Sequence, residues 1–376
     1  MPYFSKQNES TIIEYVKTRC CELYGERPPE EVSLRLEEEL RTLSRNGYRP
    51  IFDAAWKLVS SCKREGFPVE TVSTGASSFV AFLAGISDAN PLKPHYLCPN
   101  CKHSLFYNAN FIGADLPGMR CPKCGSRMIG TGYCLPMEMI WDYHRDKTPH
   151  FCFDLAEECF DRLDLVNHDG LFFIKAEPEI QVISSRSLSL LKKLEELTGV
   201  SSEAIPADDE KTFVSFRPDG LDRDEAIVSS MKRIMSYVKP YSLVDLIMIE
   251  GLSYSSGLWE GNEDALLRSG TRLSELVTCR EDVFLSLLDH GISTEAAFRI
   301  MDKARKGRLA KSLVHDNLKE EMKSHNVPEW YIDVLCKTQY LHTRVACVPL
   351  AITDYRITWF RINYPETYEK LANILQ

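Results

Sequence analysis

The 376-residue sequence has no long hydrophobic run. Its longest apolar stretch, Phe79 to Ile86, falls far short of the roughly 20 residues a membrane helix needs. The amino end, Met1 to Thr18, has no apolar segment of signal-peptide length. This pattern excludes a membrane-spanning chain, and the protein reads as cytoplasmic with no membrane partner. Positive charge is also short: 45 Lys and Arg face 54 Asp and Glu, a net charge of −9. That balance argues against a dedicated nucleic-acid coat and leaves room for a local basic surface. Internal repeats and low-complexity tracts are missing, which removes solenoids and disordered tails. Ser-His-Asp, Walker and dinucleotide patterns are missing too, so the common hydrolase and nucleotide-fold readings have no footing.

What is present is a soluble globular composition, 44% hydrophobic and 26% charged, long enough for two or three domains. Thirteen cysteines without a secretory signal do not read as a disulfide framework, and their uneven spacing points to metal chemistry for a subset.

Residues 11 to 66 read as helical. Pro28 and Pro29 open one helix, Val32, Leu36, Leu40 and Leu43 recur on one face, and Asn46-Gly47 stops it. Ile51 to Cys62 forms a second periodic segment, followed by a turn and strand at Gly66-Phe67-Pro68-Val69. Val72 to Ser78 is a small-residue loop before an apolar helix, a corner where backbone N–H groups can meet phosphate. Short strands are expected across the aromatic-rich residues 136 to 180. After a polar linker at Ser201 to Asp222 the chain turns mostly α, with Ser242, Gly291, Ser293 and Gly307 as caps and stops.

Two C-x₂-C knuckles carry the strongest spacing signal. Cys98-Pro99-Asn100-Cys101 and Cys121-Pro122-Lys123-Cys124 stand 19 residues apart, the spacing of a four-cysteine zinc ribbon. Four thiolates close the tetrahedron around one ion, so the expected zinc is structural and presents no water for catalysis. Cys134 lies near but is not needed as a fifth ligand.

With the knuckles placed, the flanking residues resemble the palm of PolC-type bacterial DNA polymerase III. The matching runs are Ser77-Ser78-Phe79-Val80-Ala81, Asn90-Pro91-Leu92, Pro94-His95-Tyr96, Asp115-Leu116-Pro117 and the two knuckles with Gly125. Downstream, Ile205-Pro206-Ala207-Asp208-Asp209, Gly251-Leu252-Ser253 with Trp259 and Gly261-Asn262, and Val327 to Asp333 are similar to the fingers of that family. The resemblance, with gaps from about residue 12 to about 370, covers palm and fingers. The thumb sequence that the family places between its aspartates is almost entirely missing.

The resemblance also locates departures. Two-metal phosphoryl transfer needs carboxylates to hold Mg²⁺, and the family pattern is Asp-x-Asp after Val-Pro. Anchoring on Asp146 to Pro149 puts His150 and Cys152 there, and shifting by two puts Cys152 and Asp154 there. Either way the first aspartate is lost. The third corresponds to Asp164 by one anchor and to Gln181 by another. In the phosphate loop Val72 replaces the family's arginine, while Glu70, Ser73 and Ala76 replace glycines. In the fingers, Lys-Ala-His becomes Arg344-Val345-Ala346.

One segment is strongly basic. Arg299, Lys303 and Lys306 lie on one helical face opposite Ala297, Ile300, Met301 and Ala304, with Arg305, Arg308 and Lys311 beside them and one acid, Asp302. A solvated face competes with a template-phosphate contact for this segment. His144, His150 and His168 read as packed or surface residues, and the stripe Tyr355, Trp359, Ile362 as a core face.

The expected fold is α+β: a small mixed palm-like remnant with a zinc ribbon, then a mainly α-helical fingers-like region. The divisions are 1–66 (helical entry to the palm), 67–180 (palm remnant, ribbon at about 95–135) and 181–376 (fingers-like). The resemblance implies a degenerate polymerase fragment without catalytic residues, binding DNA weakly and without sequence preference, or a replication protein. Its metal ligands are Cys98, Cys101, Cys121 and Cys124, and its DNA contacts Arg299, Lys303, Arg305, Lys306, Arg308, Lys311 and Arg344. The alternatives are an active reduced nucleotidyltransferase holding Mg²⁺ with Asp154 and Asp164, and a structural interaction module without nucleic acid.

Overall fold

The computed structural model describes residues 11–109, 111–175, 178–219, 221–312 and 318–375. Helices of ten residues or more are numbered here. The chain forms two compact units, Met1–Ile205 with Ile352–Gln376, and Pro206–Ala351.

The first unit begins with three helices whose ends are written locally. Helix α1 (Ile12–Tyr24) starts at a capping box: the Glu14 amide donates to the Thr11 hydroxyl and the Thr11 amide to the Glu14 carboxylate. Its buried stripe, Ile12, Val16, Cys20 and Tyr24, repeats every four residues. Helix α2 (Glu30–Asn46) follows Pro29 and ends at Gly47, whose φ of 69° a side chain would resist. Helix α3 (Arg49–Arg64) buries Phe52, Ala55, Leu58, Val59 and Cys62.

Strand β1 (Val69–Thr71) leads through the small-residue loop into a short helix, Phe79–Leu83. Strands β2 (His95–Leu97), β3 (Ser104–Phe106) and β4 (Ile129–Thr131) form a separate antiparallel sheet in the order β3-β2-β4. Strands β5 (Cys152–Ala156), β6 (Leu165–His168), β7 (Leu171–Ile174) and β8 (Ile180–Ser185) join β1 in a five-stranded sheet, order β1-β5-β8-β7-β6. Only the β5–β8 pairing is parallel; the others are antiparallel. Period-two alternation puts Val69, Phe153, Leu155, Ile174, Ile180 and Val182 in the core with the α3 side chains. Glu70, Cys152, Asp154, Gln181 and Ile183 therefore share the opposite face. Helix α4 (Arg186–Thr198) follows, capped by Ser185 and stopped by Gly199.

The second unit is helical. Helix α5 (Glu225–Met235) precedes α6 (Leu243–Tyr254), where the Ser242 hydroxyl accepts from the Asp245 amide. Helix α7 (Arg280–Asp289) is followed by α8 (Thr294–Ala304), capped by Ser293. Helix α9 (Arg344–Asn363) contributes to both units, and α10 (Pro365–Leu375) belongs to the first. Along α9 Tyr355 is buried, while Trp359 and Ile362 are half-buried.

The mixed α+β character matches the sequence expectation, but the compact units do not follow the change at residues 180 and 181. Gln181 to Ser185, placed in a helical region by the sequence reading, belongs with Ile180 to a central strand paired on both edges. Long-range pairing rather than local periodicity decides its structure. Among the described residues no helix is long and apolar enough to cross a membrane.

Candidate functional site: a four-cysteine centre and a rebuilt sheet face

The two knuckles fold alike because each closes the same pair of backbone bonds. In the first, the Lys102 amide donates to the Cys98 carbonyl and the Cys98 amide to the His103 carbonyl. In the second, Gly125 donates to Cys121 and Cys121 to Ser126. Both turns need a left-handed residue after the second cysteine: Gly125 has φ 74°, and Lys102 adopts φ 62° against the usual steric preference. The four sulfurs converge within 4.8 Å of one another. Cys98 and Cys124 sulfurs lie 3.4 Å apart, and those of Cys101 and Cys121 3.5 Å. A disulfide would need about 2.0 Å, whereas four sulfurs 2.3 Å from one ion stand about 3.8 Å apart. The donor set and its spacing fit a tetrahedral thiolate metal centre. Behind the cluster Tyr96, Met128, Leu105, Leu116 and Met119 form a small core, and the Tyr96 hydroxyl donates to the Pro117 carbonyl at 2.5 Å.

The non-core face of the five-stranded sheet holds the positions where the resemblance puts metal-binding carboxylates. Cys152 on β5 is directly paired with Gln181 on β8, and burial, opposed by the nearby Gln181 side chain, pulls the His150 imidazole below its ordinary value. The structure thus brings together His150, Cys152 and Gln181, three of the alternative assignments that are not acids, with Asp154, the one assigned acid, on the same face. Burial, with the nearby Asp154 charge, pushes the Cys152 thiol up to about 12, so it stays protonated at neutral pH. Asp154 lies opposite Glu70 on β1, and the buried Glu70 carboxylate accepts a hydrogen bond from the Thr353 hydroxyl of α9.

Asp164 is not part of this face. It is exposed, just before β6, and β8 and β7 lie between that strand and β5. At the usual strand spacing this separates Asp154 and Asp164 by about 14 Å, far beyond the 3.5–4 Å that divides a catalytic metal pair. Among the described residues, the four cysteines are the one group of three or more potential ligands within reach of a common ion.

The small-residue loop is packed rather than open. A Cβ on Gly75 would meet the His150 carbonyl at 2.7 Å and the Phe151 ring at 2.8 Å, so only glycine fits. The Gly75 amide donates to the His150 carbonyl and the Cys152 amide to the Ser73 hydroxyl. At the helix corner, where the sequence suggested a phosphate contact, a buried carboxylate takes the donors. Glu39 accepts from the amides of Phe79 (2.9 Å) and Val80 (3.0 Å) and from the Ser78 hydroxyl (2.6 Å). Arg35 pairs with Glu39 at 2.5 Å and reaches the carbonyls of Ser77 and Leu135. Sequence reasoning missed Glu39. Its one local signal was an acid on the apolar face of α2, one position from Leu40.

The expected DNA contacts divide. Arg299, Lys306, Arg308 and Lys311 are exposed, Lys303 and Arg305 half-buried, and α8 buries Ala297, Ile300, Met301 and Ala304 as anticipated, together with Ala296. Asp302 holds Arg305 at 2.7 Å and Lys306 at 2.7 Å, which offsets part of the positive charge. Arg344 is a correction. It is 3% exposed, its guanidinium pairs with Asp282, and its amide donates to Glu281 at 2.8 Å. A side chain sealed against an acid inside the second unit cannot contact a phosphate from solvent.

Comparison with known proteins matches residues 10–160 to the family described as the bacterial DNA polymerase III alpha NTPase domain. PolC-type DNA polymerase III of Pediococcus pentosaceus is 26% identical over 472 residues, covering 96% of this chain and 33% of the relative. That of Caldanaerobacter subterraneus is 26% identical, covering 92% of this chain and 32% of the relative, and that of Lacticaseibacillus paracasei 26%, covering 96% and 32%. The first aligned span exceeds the chain's own 376 residues, so that relative carries residues inside the matched stretch with no counterpart here. The chain spans about a third of the length of the curated relatives it matches, and on its family match and its near-complete coverage it is a relative of PolC-type DNA polymerase III.

Proposed function

We propose that the chain is a non-catalytic palm-and-fingers derivative of PolC-type DNA polymerase III that binds DNA, with a structural zinc ion at Cys98, Cys101, Cys121 and Cys124. The palm derivative, entered by residues 1–66, lies in the first unit and includes the strand Ile180–Ser185, and the fingers-like region is the second unit, Pro206–Ala351. The observation that carries the reading is the sheet face, where His150, Cys152 and Gln181 stand at assigned ligand positions and Asp154 is the one assigned position there that is an acid. Two-metal nucleotidyl transfer needs acidic oxygens there. A neutral thiol, an amide and an imidazole are poor Mg²⁺ ligands, since that ion takes oxygen donors and favours carboxylates. Zinc is favoured at the cysteines because soft thiolates in a tetrahedron suit it and leave no open position.

DNA binding rests on the exposed cations of the α8 segment, chiefly Arg299, Arg308 and Lys311, with Lys303 alongside. The overall charge of −9 opposes approach at long range. At physiological salt, screening over about 8 Å lets a local patch act. Three to four phosphate contacts would give a log–log salt slope of about −3 to −4 on duplex DNA.

Fluorescence anisotropy on labelled duplexes of unrelated sequence tests this reading. Micromolar or weaker binding is expected, alike on each sequence, and Arg299→Glu with Arg308→Glu weakens it on all of them. No binding at about 50 mM salt, where such contacts are strongest, would reduce the α8 surface to a solvated face and leave an interaction module.

A further inference from the structure

The five-stranded sheet has two edge strands, and only one of them is covered. β1 is buried along its whole length, and its Thr71 hydroxyl donates to the Ile86 carbonyl. At the other edge, among the described residues, β6 pairs with β7 alone, and Asp164, Asn167 and His168 are exposed. The hairpin fixes which backbone groups of β6 are left over. Asp169 and Gly170 have φ of 52° and 85°, so a two-residue turn joins His168 to its partner Leu171. The Lys175 amide donates to the Asp164 carbonyl. Hydrogen-bonded pairs therefore alternate through Asp164 with Lys175, Val166 with Phe173 and His168 with Leu171, which turns the amides and carbonyls of Leu165 and Asn167 away from β7. Among the described residues no backbone partner meets them there. The strand has no proline, lysine or bulge, the usual guards of an open edge.

An antiparallel copy of the same strand fits this edge. Alternation puts Asp164, Val166 and His168 on one face, with Phe173 beside Val166. Outward-pointing residues pair only with outward-pointing residues, so the registers open about a two-fold axis are those centred on Leu165, Val166 or Asn167. Centring on Val166 sets Leu165 opposite the partner's Asn167 on both sides of the axis, and each of these pairs exchanges two backbone bonds. It also sets Asp164 opposite the partner's His168, and joins Val166, Phe173 and their two-fold mates in one apolar strip. Glu179 meets Nε2 of His168 at 3.3 Å, so Nδ1 is the atom that the partner's Asp164 would address. Centring on Leu165 would instead set His168 against the partner's Arg162, and centring on Asn167 would set Asp164 against the partner's Gly170, beyond the strand.

We propose that β6 is the interface of a two-fold dimer of this chain, paired antiparallel with its copy about Val166 so that the two sheets become one. The inference does not depend on DNA binding by α8. Sedimentation velocity of the full, zinc-loaded chain tests it. So short a strand buries less than the roughly 1,600 Å² of a standard interface, so half-dimerisation is expected at about 10–100 µM. Asp164→Lys and His168→Asp should each raise the dissociation constant by about fivefold or more, because like charges then meet at both ends of the pair. Mixed in equal amounts, the two variants should associate to within about twofold of the unmodified chain, since the introduced lysine faces the introduced aspartate and His168 faces Asp164. Val166→Lys and Val166→Glu, monomeric alone and associating when mixed, repeat the test at the axis and leave the end charges in place. Circular dichroism reports folding for each variant. A chain that stays monomeric at about 200 µM, above the range expected for such an interface, would overturn the proposal. So would a dissociation constant unmoved by all four substitutions, or folded variants whose mixtures fail to associate.

Discussion

The four-cysteine lobe and the five-stranded sheet face are two sites in the same unit, and they have kept different things. In the lobe, ligand types, spacing and turn geometry agree, down to matching backbone bonds in both knuckles. On the sheet face the scaffold is present, with β5 and β8 paired, while the side chains aimed outward have changed character. A structural metal centre stabilises the fold that contains it, so loss of one ligand is felt as loss of folding. Acidic residues at a catalytic centre do the opposite: clustered like charges repel, and replacing them relieves the fold. Glu70 runs the other way, a carboxylate that the resemblance puts in place of glycine, opposite Asp154, and that accepts a hydrogen bond from Thr353 of α9.

That contrast can be broken or sharpened, beginning with the largest effect. Cys98→Ser or Cys121→Ser is expected to abolish zinc binding and unfold the lobe, since metal affinity is folding free energy in such sites. Elemental analysis should find one zinc per unmodified chain, and protein purified without chelator that carries none would remove this half of the comparison.

Next is Glu39→Ala, which orphans two amides and leaves Arg35 without its acid. Breaking such a buried pair costs about 3–5 kcal/mol. Urea unfolding of the variant should show the first unit losing stability by that amount, and a loss under about 1 kcal/mol would mean Glu39 is not the anchor of the loop.

The second unit supplies a pH test. Burial, helped by the Asp282 charge and opposed by the Val277 amide, raises the Glu263 carboxyl to about 8. A raised acid binds more protons folded than unfolded between its unfolded value near 4.5 and 8. Stability is therefore full below about 4.5 and falls as pH rises through 8, by at most about 1.4 kcal/mol per pH unit. Glu263→Gln should flatten that slope and stabilise the protein at pH 7 and above. An unaltered slope in the variant would place the titration elsewhere.

The smallest effect is expected at Lys306. Because Asp302 already holds it, Lys306→Gln should change duplex affinity less than twofold, whereas Arg299→Gln or Arg308→Gln should each reduce the salt slope by about 0.9. Equal effects from all three would show that Asp302 does not shield its partners.

What the sequence disclosed depended on how far apart the deciding residues lie. The knuckles, Asn46-Gly47, Ser242 and Ser293 act within a few positions, and each stood where its spacing or cap chemistry implied. The strand Ile180–Ser185 was not legible as part of the first unit, because its parallel partner β5 is some thirty positions earlier. Arg344 looked like a surface cation until Asp282 closed on it from another helix. The Glu39 cap joins residues about forty apart, and its one local trace is an acid on the apolar face of α2. Among the alternatives for the sheet face, sequence could not choose between Asp164 and Gln181, and strand order separates them at once.

The most direct test of the central claim is primer extension by the zinc-loaded chain on a primed template with Mg²⁺ or Mn²⁺ and all four deoxynucleotides. The account predicts no template-dependent incorporation, and none after Asp154→Ala. Incorporation by the unmodified chain that disappears in Asp154→Ala, and so cannot come from a contaminant, would contradict it and restore a working metal site to the sheet face.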